Sequence, residues 1–91
     1  MEFDWTGYSP EPISPKDVEE SFEDPFSIRI MPEIDEAVGR EARYFILGRS
    51  ISSLALFSVF WTDGKLYRVV FSRAMTPEEE NFYDRKNSEQ N

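Results

Sequence analysis

Hydrophobic and polar residues alternate along short segments of this chain, and this alternation predicts several strands. Strands are predicted over residues 2–6, 26–31, 41–47, 54–61 and 65–73. The first has an apolar face formed by Phe3 and Trp5, which is typical of an edge strand. Residues 54–61 are apolar on both faces, so we expect that strand in the centre of a sheet.

Turn-forming residues separate the later strands. Gly48 is predicted to end the third strand, and a turn over residues 49–53 leads into the fourth. Asp63 and Gly64 predict a type I′ hairpin turn, because both central positions of that turn take positive φ. An acidic loop is predicted over residues 32–39, between the second and third strands.

Two helices are predicted from their capping residues. The pair Ser14-Pro15 suits the N-cap and first position of a helix over residues 15–22. Thr76 and Glu79 form a capping box at the start of a second helix, which is predicted to continue to about Arg85.

The resulting order of elements is β-α-β-β-β-β-α. It predicts an α+β fold, with a four- to five-stranded, mainly antiparallel sheet flanked by two helices that we expect on one face. A single domain is expected over residues 1–86, followed by a frayed polar tail over residues 87–91.

The composition excludes several kinds of site. The 91 residues include no cysteine and no histidine, which removes disulfides, thiolate or imidazole metal sites, and Ser-His or Cys-His catalysis. Residues 33–36 lack the regular spacing of oxygen ligands in a calcium loop, so we expect no metal and no cofactor. The longest apolar stretch is far shorter than the ~20 residues of a membrane helix. With no signal-peptide pattern at residues 1–10, we expect a cytoplasmic protein.

Charge is distributed unevenly along this chain, whose formal net charge is −8. The excess of acidic residues argues against non-specific binding of nucleic acid by the whole surface. Residues 42–76 are the exception, with five basic residues and one acidic residue. Either each arginine of this segment pairs with a carboxylate from the acidic segments, or the arginines form a small anion-binding patch.

Three arginines are candidates for binding a phosphate group. Guanidinium groups bind phosphate through two parallel hydrogen bonds, so Arg43 and Arg73 would form an oxyanion clamp if they met on one face. Strand alternation places Arg68 and Arg73 on opposite faces unless a bulge intervenes. The structural alternative for Arg68 is an ion pair with a helix carboxylate.

Other side chains could complete such a site. Arg49, in the predicted turn, is a further candidate cation. Tyr44, Tyr67 and Tyr83 could stack on a nucleotide or form hydrogen bonds with it. The alternative for these tyrosines is a half-buried position in the core.

Five groups of residues follow one another along almost the whole chain. They are Phe3-Asp4-Trp5; Ser21-Phe22-Glu23-Asp24-Pro25; Gly39 with Arg43 and Gly48-Arg49-Ser50; Arg68-Val69-Val70-Phe71-Ser72-Arg73; and Thr76 with Glu79, Glu80 and Tyr83. In their order and spacing they resemble motifs of the BrnT family of bacterial toxins from type II toxin–antitoxin systems. The chain is similar to a divergent member, because it lacks the Asn, Lys and His of that family's first helix.

The resemblance implies a RelE-like fold and a metal-independent ribonuclease that cleaves RNA by attack of a 2′-hydroxyl group. By position, the resemblance makes Arg43, Arg68 and Arg73 the candidate catalytic residues, and the candidate substrate-binding residues are Arg49, Tyr67 and Tyr83, on the chemistry of their side chains. The implied partner is a small antitoxin of the ribbon-helix-helix type whose other half binds DNA, so no direct DNA binding by this chain is expected. Two alternatives remain, namely an interaction module without nuclease activity and an unrelated sheet domain from a larger complex.

Overall fold

The structure, a computed structural model, describes residues 2–8, 13–30 and 42–89, which form a five-stranded mixed sheet with one helix on each face. The strands are β1 (Glu2–Asp4), β2 (Ile28–Ile30), β3 (Ala42–Arg49), β4 (Ala55–Thr62) and β5 (Leu66–Ala74). The helices are α1 (Pro15–Glu23) and α2 (Pro77–Glu89). The predicted α+β class is confirmed, and the predicted loop over residues 32–39 lies outside the described residues.

The order of strands in the sheet is β1-β5-β4-β3-β2, so β4 occupies the central position that its apolar faces predicted. β1 lies at one edge, parallel to β5, and the other neighbouring strands are antiparallel. β1 is shorter than predicted, because Asp4 Oδ1 accepts a hydrogen bond of 2.9 Å from the Thr6 N–H and starts a turn. Gly7 continues that turn with a φ of 82°.

α1 covers one face of the sheet and begins at the predicted cap. The Ser14 hydroxyl oxygen accepts a hydrogen bond of 3.4 Å from the Asp17 N–H, which satisfies a donor in the first turn. Val18 and Phe22 lie one helical turn apart and point towards the sheet. The core on this face consists of Val18, Phe22, Ile46, Phe60 and Val69. Each fully buried side chain of this size stabilises the fold by roughly 1.5–3 kcal/mol.

α2 packs on the opposite face, so the prediction that both helices share one face is wrong. Ile46 of β3 packs in the α1 core, whereas its neighbour Leu47 points the other way and packs against Tyr83 of α2. The predicted capping box is present. The Thr76 N–H donates to Glu79 Oε1 at 2.9 Å, and the Glu79 N–H donates to Thr76 Oγ1 at 3.2 Å.

α2 continues one turn beyond its predicted end, to Glu89. The Asn87 side-chain amide donates hydrogen bonds of 2.9 Å to the Tyr83 carbonyl and 3.2 Å to the Phe26 carbonyl. The bond to Phe26 holds the last turn of α2 against the segment before β2. The residues of this turn are polar, so the sequence does not indicate the contact. Neither helix in the described ranges is long and apolar enough to cross a membrane.

Gly48 lies inside β3, so the prediction that it ends the strand is wrong. A Cβ atom at this position would overlap the backbone carbonyl of Ser21 in α1. The glycine therefore allows the helix backbone to approach the strand closely. The turn starts one residue later than predicted, where the Ser50 N–H donates a hydrogen bond of 3.0 Å to the Leu54 carbonyl.

The hairpin between β4 and β5 is confirmed, but its turn is not of type I′. Gly64 has a φ of 99°, whereas Asp63 does not have a positive φ. Asp63 Oδ1 instead accepts hydrogen bonds of 2.9 Å from the Lys65 N–H and 3.0 Å from the Leu66 N–H. These two bonds lower the pKa of the Asp63 carboxyl below its ordinary value.

We expect Gly48→Ala to lower the free energy of unfolding by about 3 kcal/mol, because α1 must move away from β3 to admit the methyl group. Gly64→Ala is the control. It adds the same methyl group in open space and costs only the strain of a positive φ, about 1 kcal/mol. Urea unfolding of both variants measures the difference, and equal losses of stability would contradict the close approach of α1 to β3.

Candidate functional site

One extra residue in β5 decides which side chains share a face of the sheet. Val59 of β4 pairs with Phe71, but the next residue, Phe60, pairs with Val69, which leaves Val70 as a β-bulge. The alternation of side chains shifts by one residue at this point. Arg68, before the bulge, and Arg73, after it, therefore project from the same face, which the sequence allowed only if a bulge occurred.

This face is the one opposite α1, and we call it the open face. It carries Arg43, Phe45, Leu47 and Arg49 of β3; Ala55, Phe57, Val59 and Trp61 of β4; and Arg68, Phe71 and Arg73 of β5. α2 packs over only one end of it, around Leu47 and Ala55. All three of the arginines predicted as catalytic lie on the open face.

Arg43 and Arg68 flank Trp61 in one row across the sheet. Arg43 and Arg68 each pair with Trp61 in the strand register, from β3 and β5 respectively. Since neighbouring strands lie about 4.8 Å apart, the Cα atoms of the two arginines are about 10 Å apart. The Arg43 guanidinium carbon lies 6.0 Å from the centre of the Trp61 ring and 5.9 Å from that of Phe45.

Arg68 also faces a carboxylate at the edge of the sheet. Its partner in the β1 register is Asp4. The pKa of Asp4 is lowered, mainly by hydrogen bonds from Thr6 and to a smaller extent by the Arg68 charge.

Aromatic side chains form the surface between the arginines. Phe57 stacks on Phe45, with ring centres 5.5 Å apart, and lies 6.2 Å from the Phe71 ring. Phe71 is 45% exposed and Ile30, on the neighbouring edge strand, is 38% exposed. A flat group could stack on these rings while the guanidinium groups bind an anion beside it.

Arg73 lies at the α2 end of the open face. A carboxylate is bound to the two terminal nitrogens of its guanidinium group, which we call the fork. Its two terminal nitrogens donate hydrogen bonds of 2.8 Å and 3.0 Å to the two oxygens of Glu79. Its guanidinium carbon also lies 4.2 Å from the centre of the Phe57 ring. The hydrogen bonds between them raise the pKa of Arg73 and lower the pKa of Glu79.

Arg49 and Tyr83, both predicted to bind substrate, lie together under α2 rather than beside Trp61. The Arg49 guanidinium lies 5.4 Å from the Tyr83 ring centre and within 3.9 Å of the Glu80 carboxylate and 3.7 Å of the Asp84 carboxylate. These surroundings match the structural alternative, in which an arginine of the cationic segment pairs with helix carboxylates. At this exposure such pairs add little stability.

Tyr67 lies on the α1 face, away from the three arginines. Its ring packs near Phe3, Phe22 and Phe60, with centres 5.7–6.4 Å apart. Tyr44 stacks on Phe60 on that same face, at 5.4 Å. Both side chains are half-buried, as the alternative interpretation of the tyrosines predicted.

Asp24 connects three elements, a role that its sequence position does not reveal. Asp24 Oδ2 accepts hydrogen bonds of 2.6 Å from the Tyr83 hydroxyl and 2.8 Å from the Arg49 N–H, and Oδ1 accepts one of 2.9 Å from the Phe26 N–H. In the sequence, Asp24-Pro25 indicates only the end of a helix. Burial, and then the bond to Asp24, raise the pKa of Tyr83 well above its ordinary value.

The described residues contain no group of three or more acidic side chains placed to hold a metal ion. No protein-family model matches the chain, and a search of the curated proteins finds no match.

We expect Tyr83→Phe to lower the free energy of unfolding by about 1.5–3 kcal/mol, because the buried Tyr83 side chain loses its hydrogen bond to the charged, half-buried Asp24. Tyr44→Phe is the matched control, since the structure records no hydrogen bond for its hydroxyl among the described residues. A similar loss in both variants, measured by urea unfolding, would contradict the role of the bond to Asp24.

Because of the Tyr83 hydroxyl, we also expect the free energy of unfolding to fall at high pH. The unfolded chain ionises this phenol near its ordinary pKa of 10.0, whereas the folded protein keeps it protonated to higher pH. The stability that this group contributes is therefore complete below about pH 10 and falls as the pH rises further. Urea unfolding across this range should give a steeper fall for the wild type than for Tyr83→Phe. Parallel curves would count against the raised pKa.

Proposed function

We propose that this protein is a BrnT-like toxin of a type II toxin–antitoxin pair and that its open face binds single-stranded RNA. The observation that supports this most strongly is the bulge at Val70, because it puts Arg68 and Arg73 on the same face as Arg43. Cations beside exposed aromatic rings are the combination with which proteins bind unpaired bases and their phosphates.

In the proposed reaction, a 2′-hydroxyl group attacks the neighbouring phosphodiester without a metal ion. The new bond from the 2′-oxygen to phosphorus forms as the bond from phosphorus to the 5′-oxygen breaks, which leaves a 2′,3′-cyclic phosphate and a 5′-hydroxyl group. Water takes the proton of the 2′-hydroxyl group and returns one to the leaving 5′-oxygen. The negative charge that develops on the phosphate oxygens would be stabilised by the guanidinium groups of Arg43 and Arg68. Trp61, between them, would hold an adjacent base by stacking. Arg73 would join only after its fork is released from Glu79.

The proposed partner is a small ribbon-helix-helix antitoxin, and both proteins would act in the cytoplasm. In this arrangement the antitoxin binds DNA and this chain does not. The formal net charge of −8 favours that division, because the duplex phosphates repel a protein that carries a net negative charge.

A second candidate function is that of an interaction module without nuclease activity. Two observations favour it. The chain has no histidine to transfer a proton near neutral pH, and the Arg73 fork is filled by a carboxylate of the same chain. In this case, the exposed side chains of Phe71 on the open face and of Ile30 on the neighbouring edge strand would contact the partner protein.

We expect Arg43→Ala to weaken binding of a fluorescently labelled single-stranded RNA about tenfold, the equivalent of about 1.4 kcal/mol. Loss of one phosphate contact should also reduce the salt slope of the affinity by about 0.7. Arg85→Ala, at an exposed position of α2, is the control for loss of one positive charge. Equal weakening by both substitutions, in folded proteins, would exclude a specific role for the open face.

Growth of a bacterial host separates the two candidate functions. A ribonuclease toxin should arrest growth when expression is induced and cleave RNA in the purified state, and Arg43→Ala should reduce both effects. Co-expression of a ribbon-helix-helix protein from the adjacent reading frame should restore growth. If the wild type leaves RNA intact and growth unchanged but co-purifies with that neighbour, the interaction module is the correct function.

A further inference from the structure

Glu79 occupies the side of Arg73 that a phosphate group would use. Both carboxylate oxygens accept hydrogen bonds from the two terminal nitrogens of the guanidinium, at 2.8 Å and 3.0 Å. Phosphate binds to arginine through the same pair of parallel bonds, so the two anions compete for one fork. Arg43, on the same face, has no ion pair with a carboxylate among the described residues.

The position of Glu79 does not depend on Arg73. Its Oε1 atom accepts the Thr76 N–H as part of the capping box, and its own N–H donates to the Thr76 hydroxyl. The first turn of α2 therefore fixes the carboxylate where the guanidinium of Arg73 can reach it. Glu78, the preceding residue, is exposed and has no such contact with Arg73.

We propose that Glu79 acts as an internal substitute for phosphate, which keeps Arg73 occupied until a phosphate ligand displaces it. Arg73 then contributes little to binding in the resting protein, and Arg43 makes the first contact. When a phosphate takes the fork, Glu79 keeps its bond to Thr76 and remains a helix cap. The claim about the fork stands on its own contacts, and its extension to RNA rests on the proposed function.

Glu79→Gln tests the fork without removing the cap, because glutamine also suits this position of a capping box. The probe is inorganic phosphate, added to protein with ¹⁵N-labelled arginine side chains, and the measured quantity is the NMR shift of the Arg73 Nε–H. We expect a saturable shift in Glu79→Gln and none at the same phosphate concentrations in the wild type. Glu78→Gln, which removes the same charge from the same turn, should behave like the wild type.

Two results of the phosphate titration would overturn the proposal. One is an equal shift of the Arg73 signal in the wild type and in Glu79→Gln. The other is a shift in neither protein, with the thermal midpoint of Glu79→Gln showing that it is folded. In both cases the carboxylate does not compete with phosphate for the fork.

Single-stranded RNA extends the test to the proposed function. Glu79→Gln should tighten RNA binding roughly fivefold or more, beyond the effect of Glu78→Gln. Arg73→Ala should remove the whole gain in the Glu79→Gln background. If the phosphate result holds and no variant binds RNA, the fork is correct and the RNA function is wrong. If RNA binds equally to Glu79→Gln and Glu78→Gln, RNA does not use the fork.

Discussion

The pairing of β4 with β5 controls the structure, because a single unpaired residue sets the direction of every side chain that follows it. Before the bulge at Val70, Val69 faces α1, and after it Ser72 faces α1 as well. Ser72 is buried there and shares a hydrogen bond of 2.8 Å with Ser58 of β4, so both buried hydroxyls are satisfied. Without the extra residue, Arg73 would point into the α1 side, where an unpaired charge is costly.

A second constraint links this sheet to both helices. Asp24, at the end of α1, accepts hydrogen bonds from the end of β3 and from Tyr83 of α2, and so ties elements far apart in sequence. The position of α2 in turn places Glu79 against Arg73. The pairing of Arg73 with a carboxylate therefore depends on the position of α2. That position is fixed by the side of the helix that packs against the sheet.

The chain combines a large net negative charge with a small cationic and aromatic surface. A net negative charge of this size limits non-specific attraction to nucleic acid. The bidentate pair between Arg73 and Glu79 reduces the exposed positive charge further. The proposed function places RNA on this surface.

The local elements could be deduced from the amino acids, because their causes act over a few residues. Strand alternation, the Ser14 cap and the Thr76 capping box each depend on neighbours within about four positions. The α+β class and the central place of β4 follow from the same patterns. Arg43 and Arg73 were recognisable as candidate phosphate ligands on chemistry alone.

Long-range contacts decided the rest. The bulge at Val70 has no local signature, since its cause is the need to bury Ser72 against Ser58 and to expose Arg73. The role of Gly48 could not be predicted from its neighbours in sequence, because the Ser21 backbone that approaches it belongs to α1. The sequence does not show which face each helix covers. Tertiary packing decides it, because Ile46 packs with α1 and Leu47 packs with α2 on the other face. The open face exists because residues distant in sequence pack together, and no periodicity along the chain encodes that packing.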